Sequence, residues 1–278
     1  MVKTGHARAM ISEFAACGVV TVTTDTGHKG PFVGTIKGMI LKRFAAAVLV
    51  DLTHDAVVQW PAEAGFWLSR AYRYFPSGTV HLCVVDPGAR PEPQALVAVR
   101  DGHAFLAPDN GVLSSVIEAN TAVFGIDLAR LNRIGVEFRG GIFHGRDLFA
   151  PIAAELAAGR CRPEALGEPV SEVIPSWVDD PQVGDGEVRG VVITVDNFGN
   201  LISNIDGALL AAIEHPVVLA GGHECPLRQT YGDAPPGEYL ALVNSFGVVE
   251  VARSEMSAEQ GLGLSRGSPI IVRRRRSA

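Results

Sequence analysis

At about 150 residues per domain, a chain of 278 residues has room for two domains or one large one. Its 47% hydrophobic and 19% charged residues exclude a disordered or fibrous polymer. Acidic residues outnumber Lys and Arg by 30 to 24, and four of the cations fall in residues 273–276, so a net charge of −6 leaves no basic surface for duplex nucleic acid beyond that tail.

In chain order, residues 1–18 read as an N-terminal extension, and the β-branched run Val19–Thr24 as a first strand. Asp25 and a loop punctuated by Gly27, Gly30 and Gly34 follow, leading into a helix over residues 34–44. Residues 47–52 read as a buried strand. Pro61 then opens a helix, a favoured first-turn residue, and Pro76 stops the helical pattern. Residues 79–85 form a third strand, residues 95–106 a hairpin turning at Asp101-Gly102, and residues 147–158 a helix entered from the loop at 143–146. Residues 173–186, rich in Pro, Asp and Gly, mark a linker between a domain at 19–172 and one at 187–278. Short runs at 188–195, 217–220, 239–243, 248–252 and 269–273 make the second part a small antiparallel β domain. The expected fold is an α/β N-terminal domain with a mostly parallel sheet, plus a smaller antiparallel β-barrel-like C-terminal domain.

The four cysteines, Cys17, Cys83, Cys161 and Cys225, are scattered without a C-x-x-C pair, which fits a reducing cytosol. No apolar run reaches transmembrane length and the N-terminus is charged, so a soluble cytoplasmic protein is expected. The arginine tail reads as a solvated or subunit-contact end.

Asp25, His54, Asp55, Asp86, His144, Arg146 and Asp147 fall at strand ends or in short loops, and in parallel sheets ligands bind beyond the carboxyl ends of the strands. The three strand ends at Asp25, at residues 51–55 and at Asp86 are expected to meet. From chemistry alone such a set either holds a divalent metal or activates water without one, and Thr53-His54-Asp55 also suits a simple turn cap. Neither a G-x-G-x-x-G nor a G-x-x-x-x-G-K-[ST] motif occurs; a carboxylate such as Asp25 after the first strand can instead accept hydrogen bonds from vicinal ribose hydroxyls.

Eight ordered segments carry a resemblance. They are Thr23-Thr24-Asp25 with Val33-Gly34 and Lys37-Gly38; Asp51-Leu52-Thr53-His54-Asp55; Phe75-Pro76 with Gly78-Thr79-Val80; and Val84-Val85-Asp86-Pro87-Gly88. They continue with Ala107-Pro108-Asp109-Asn110-Gly111, Phe143-His144-Gly145-Arg146-Asp147, Asp196 with Phe198-Gly199-Asn200-Leu201-Ile202, and Asn244-Ser245 with Gly247. The chain thereby resembles the S-adenosyl-L-methionine hydroxide adenosyltransferases, or S-adenosyl-L-methionine hydrolases, relatives of fluorinase and chlorinase.

The resemblance implies attack of water or hydroxide on the 5′ carbon of the adenosyl group, releasing adenosine and L-methionine with no metal or other cofactor. It assigns the water to Asp86 and His144. The third member, an Arg seven residues after that Asp, is Pro93 here, and Arg90 is the candidate replacement. Asp25 is expected to hold the ribose, Phe198 and Tyr231 to flank the adenine, and Asn200 with the backbone around Arg253 to bond its edge. Asp196 and Ser245 match positions at the methionine end, whereas Gly30 stands where relatives often carry a carboxylate. The competing reading of Phe198 and Tyr231 is core packing. Halogenases carry Tyr at the positions of Asp86 and His144, so halide transfer is disfavoured. By resemblance the protein is a homotrimer with its ligand between the first domain of one subunit and the second of a neighbour. Two rivals stand beside the hydrolase: a non-catalytic adenosine or S-adenosyl-L-methionine binding protein, given the displaced Arg, and a metal-dependent hydrolase built on Asp25, His54, Asp55 and His144.

Overall fold

The computed structural model describes residues 14–85, 94–138, 140 and 142–275. Asp86 and Arg90 lie outside the described residues, as does most of the expected N-terminal extension. The chain divides into two compact units, one ending at Trp177 and the other beginning at Val178.

In the first unit, β1 (Val19–Thr24) leads through the glycine-rich loop into α1 (Phe32–Arg43), two residues ahead of the expected start. Val33, Ile36 and Ile40 form one buried stripe along α1, and Lys42 and Arg43 sit at its negative C-terminal end. Then come β2 (Val48–Thr53), α2 (Pro61–Ala71), β3 (Val80–Val84), β4 (Ala95–Arg100) and β5 (His103–Pro108). β4 and β5 make the expected hairpin: Asp101 at φ 51° and Gly102 at φ 79° supply the two left-handed residues that a tight two-residue turn requires. The unit is completed by β6 (Ala122–Ile126), the short α3 (Leu128–Leu131), α4 (Ala150–Ala157) and β7 (Gly167–Pro169).

The seven strands lie in the order β2-β1-β3-β5-β4-β6-β7. β2, β1, β3 and β5 pair in parallel, while β4 and β7 run against their neighbours, so the sheet is mostly parallel as the sequence suggests. Successive residues of a strand point to opposite faces, which builds two cores. Val20, Val22, Leu82 and Val84 meet Ile36, Ile40, Ile152 and Leu156 on one face. Cys83, Val85 and Phe105 meet Leu68 and Tyr72 on the other. β1 and β3 are covered on both sides and therefore read as near-continuous apolar and β-branched runs; β2, at the edge, stays half-exposed.

The expected linker is divided between the units. Val173 packs on the first unit's core, the Ile174 amide donates to Asp109 Oδ1 at 2.9 Å, and Trp177 meets Trp60 edge-on. Residues 182–184 instead form β8 (Gln182–Gly184), which pairs with β9 (Glu187–Val195).

The second unit continues with β10 (Leu201–Asp206), β11 (Pro216–Ala220), β12 (His223–Pro226), β13 (Tyr239–Val243), β14 (Val248–Arg253), α5 (Ala258–Leu262) and β15 (Pro269–Arg274). Its antiparallel sheet runs β12-β11-β15-β9-β10-β14-β13, with β8 beside β9. The two ends curl toward each other: Leu227, just past β12, bridges Ala241 of β13, and the Arg228 amide donates to the Ala241 carbonyl at 2.8 Å. The result is a nearly closed barrel around Val192, Leu201, Val218, Val251 and Ile270.

Candidate active site

In the first unit the ends of β1 and β2 are tied together through His54, which is 1% exposed. Its Nε2 lies 2.9 Å from Asp51 Oδ1 and its Nδ1 2.9 Å from Thr24 Oγ1. One ring nitrogen thus shares a hydrogen bond with the threonine hydroxyl while the other faces the carboxylate. The His54 carbonyl accepts the Gly27 amide at 2.9 Å. Lys37 Nζ reaches the other Asp51 oxygen at 2.6 Å. Partial burial works against the Asp51 anion, but hydrogen bonds from Lys37 and His54 outweigh it and hold the carboxyl below its ordinary range. His54 is thus a brace between strands rather than a free ligand, and Asp55 is an exposed turn residue. Asp25 Oδ2 accepts the Gln59 amide at 3.0 Å, which fixes the carboxylate just beyond β1.

His144 begins the segment that leads into α4. A five-residue π-turn, Gly145–Phe149, follows it, and the Ala150 amide donates five residues back to Gly145. The next residue, Pro151, has no N–H to give to Asp147 and its ring would crowd that carbonyl, which accounts for the widened turn. Gly145 packs tightly: a Cβ there would stand 3.1 Å from Ile36 Cδ1 and 3.5 Å from Val84 Cγ1, so the segment lies against α1 and the carboxyl end of β3. The His144 ring is 1% exposed, edge-on to Phe138 at 5.7 Å. Among the described residues neither of its nitrogens meets a hydrogen-bond partner. Arg146 and Asp147, grouped with it from sequence, instead pair with each other at the surface, where Arg146 also covers the Phe143 ring.

The second unit holds a cavity of about 530 Å³. Asp196, Phe198, Asn200, Tyr231 and Arg253 all line it, joined by residues 254–257. Asp196 Oδ1 accepts the amides of Phe198 and Asn200, both at 2.9 Å, and Oδ2 accepts Asn200 Nδ2 at 2.9 Å. Its carboxylate therefore shapes the β9–β10 loop. Gly199, at φ 82°, completes that loop; a Cβ there would stand 2.1 Å from Ser257 Oγ. Phe198 is 80% exposed and Tyr231 48%, which overturns the reading of both rings as core filling. Arg253 donates from Nε to the Gly237 carbonyl at 2.9 Å and lies over the Tyr239 ring. Ser245 does not line this cavity; it is exposed on the β13–β14 turn.

Sequence reasoning passed over Glu250. It sits 2% exposed on β14, its oxygens accepting the Tyr231 hydroxyl at 2.7 Å and Asn244 Nδ2 at 3.1 Å. Burial pushes its carboxyl above the ordinary range against the pull of those two donors, and burial with the Glu250 contact also raises the Tyr231 hydroxyl. A single acid in an apolar strand was the available signal.

Residues 20–167 match the family described as SAM hydroxide adenosyltransferase N-terminal domain, and residues 190–271 the corresponding C-terminal domain. The chain is 34% identical over 254 residues to the (R)-S-adenosyl-L-methionine hydrolase of Thermus thermophilus, spanning 89% of this chain and 96% of the relative. It is 33% identical over 260 residues to the protein of the same name from Salinispora arenicola, spanning 91% and 97%. A solved structure of an uncharacterized conserved protein from Thermotoga maritima, 31% identical, superimposes with a TM-score of 0.82 over 92% of this chain and 100% of that one. With both of its units matched in order and relatives above 30% identity along most of its length, the chain belongs to the SAM hydroxide adenosyltransferase family.

Proposed function

We propose that this protein is an enzyme that hydrolyses S-adenosyl-L-methionine to adenosine and L-methionine. The observation that carries the reading is the second unit's cavity, where five residues expected around the substrate converge. In this reading the exposed faces of Phe198 and Tyr231 flank the adenine, and Asn200 with the backbone near Arg253 meets its edge. Asp196 orders the loop that presents Phe198 and Asn200, and Asp25 takes the ribose hydroxyls.

The reaction is attack of water on the 5′ carbon with the sulfonium leaving as the neutral thioether of methionine. Bringing an anionic nucleophile to a sulfonium removes charge, so a site emptied of bulk water favours it. The protein must hold one water in line and take its proton. His144 suits that role, because a buried imidazole whose two nitrogens meet no partner among the described residues has hydrogen-bonding capacity to give to a water. Asp86 directly follows Val85 at the end of the third strand segment and is the second group on the water, and Arg90 the third. No metal or other cofactor belongs to this scheme. Homotrimer assembly and a cytoplasmic location are part of the same proposal; sedimentation velocity tests the first and cell fractionation the second.

The test is to incubate chelator-treated protein with S-adenosyl-L-methionine and follow adenosine by chromatography, with Asp86→Ala beside it. Adenosine from the wild type alone is the expected result. Binding of S-adenosyl-L-methionine without adenosine would leave a binding protein, and activity restored only by a divalent ion would bring back the metal-dependent reading.

A further inference from the structure

The geometry points to Glu250 as a positioning residue that pins the Tyr231 ring against the cavity and ties it to the turn between β13 and β14. The inference rests on the hydrolase reading for its substrate but stands on contacts within one unit. Glu250 faces Ile202 and Leu242 across the sheet, an apolar setting in which a carboxylate is costly unless its oxygens are satisfied. Both are: one takes the Tyr231 hydroxyl and the other the Asn244 amide. Asn244 cannot turn over, because its Oδ1 accepts the amides of Phe246 and Val248 at 3.0 and 3.4 Å. Its Nδ2 is therefore committed to Glu250.

Tyr231 is also held from its backbone. It opens the 3-10 turn Tyr231–Asp233, where a reciprocal capping box joins Thr230 and Asp233. A ring fixed at both its main chain and its hydroxyl, yet half-exposed toward a cavity, is a preorganised wall for a flat aromatic ligand. Freed from Glu250, the ring must be ordered by the ligand itself, and affinity falls. The turn carrying Ser245 loosens at the same time, since Asn244 loses its partner.

The experiment compares Glu250→Met, Glu250→Gln, Tyr231→Phe and the Glu250→Met/Tyr231→Phe double variant, each checked for folding by its melting transition. Glu250→Met is expected to raise KM for S-adenosyl-L-methionine about five- to tenfold with kcat changed less than about twofold, and Tyr231→Phe to act in the same direction. Glu250→Gln rescues: its carbonyl accepts from Asn244 and its amide donates to the Tyr231 oxygen. The double variant is expected to be no worse than Glu250→Met alone, because both changes cut one connection. An unchanged KM in Tyr231→Phe, which retains every backbone bond, overturns the inference even if Glu250→Met fails to fold; so do effects that multiply in the double variant. A wild type that makes no adenosine overturns the hydrolase reading instead. The same variants are then judged by calorimetric affinity for adenosine, where a loss in Glu250→Met supports the inference, and an unchanged affinity, or none in the wild type, overturns it.

Discussion

Opposite edges of the first sheet bury histidines equally deeply and use them in opposite ways. Toward the amino ends of β3 and β5, His81 is 0% exposed and has both nitrogens engaged, Nδ1 with Thr21 Oγ1 at 2.8 Å and Nε2 with His103 Nδ1 at 3.1 Å. Phe105 stacks on it, and the surrounding polar groups are paired too: the Tyr72 hydroxyl donates to Asp101, and Arg100 meets Glu118. At the carboxyl edge His54 is bonded to Thr24 through Nδ1 and turns Nε2 to the Asp51 carboxylate at 2.9 Å, whereas neither nitrogen of His144, 1% exposed, meets a partner among the described residues. In the proposed reading His144 is the reactive histidine, and burial does not separate it from the structural ones. Satisfaction does, because a buried polar group with nothing to bond is costly unless a ligand or water completes it.

The contrast is broken or sharpened by four measurements. His144→Ala is expected to lower turnover by about 10²–10⁴-fold, the usual range for a group that moves or holds a reacting proton, while its denaturant midpoint stays close to wild type. Equal loss of stability in His144→Ala and His54→Ala would abolish the distinction. His54→Ala removes the buried Thr24 hydrogen bond and the contact with Asp51 and leaves a hole between strand ends, so chemical unfolding is expected to show a loss of about 2–4 kcal/mol.

Gly199→Ala carries the comparison into the second unit, where the loop depends on backbone freedom. A methyl group in the left-handed region and against Ser257 is expected to cost about 1–2 kcal/mol and to raise KM by disturbing Phe198 and Asn200. The last measurement concerns pH. Burial, with a lesser contribution from the His103 charge, lowers His81 from 6.5 to about 3. Since the folded-state value lies below the unfolded one, the unfolded chain binds the extra proton between these limits. The stability tied to His81 is full above about pH 6.5 and drains away as the pH falls toward about 3, by at most ~1.4 kcal/mol per pH unit. His81→Gln, which does not titrate, is expected to flatten the dependence of unfolding free energy between pH 7 and 5 relative to wild type.

Much of the fold was legible. β1 and β3 are buried on both faces and announce themselves as β-branched and apolar runs; Asp101-Gly102 spells its own turn. β10 was not, because Ser203 and Asn204 interrupt its apolar pattern. Both polar groups are satisfied inside the sheet, Ser203 by donating to the Val249 carbonyl at 2.7 Å and Asn204 by accepting the Val191 amide at 2.8 Å. β6 was missed for its brevity and its glycine, and β7 approaches it so closely that a Cβ at Gly167 would stand 1.5 Å from the Gly125 carbonyl. Of the site, the resemblance selected five residues that share one cavity, but it also included Ser245, which lies on a turn outside that lining. The turn-cap reading of His54 came near its bracing role without supplying its partners.

What the sequence determined by itself was the class of each unit and the family, because side-chain periodicity, turn residues and ordered motifs are local properties of a chain. What only the tertiary structure decided was which polar side chains are spent and which are free. That depends on partners brought from a distance, Thr24 to His54 across 30 residues and Tyr231 to Glu250 across 19. A hydrogen bond is made in space at about 3 Å, and no linear pattern records whether the donor arrives.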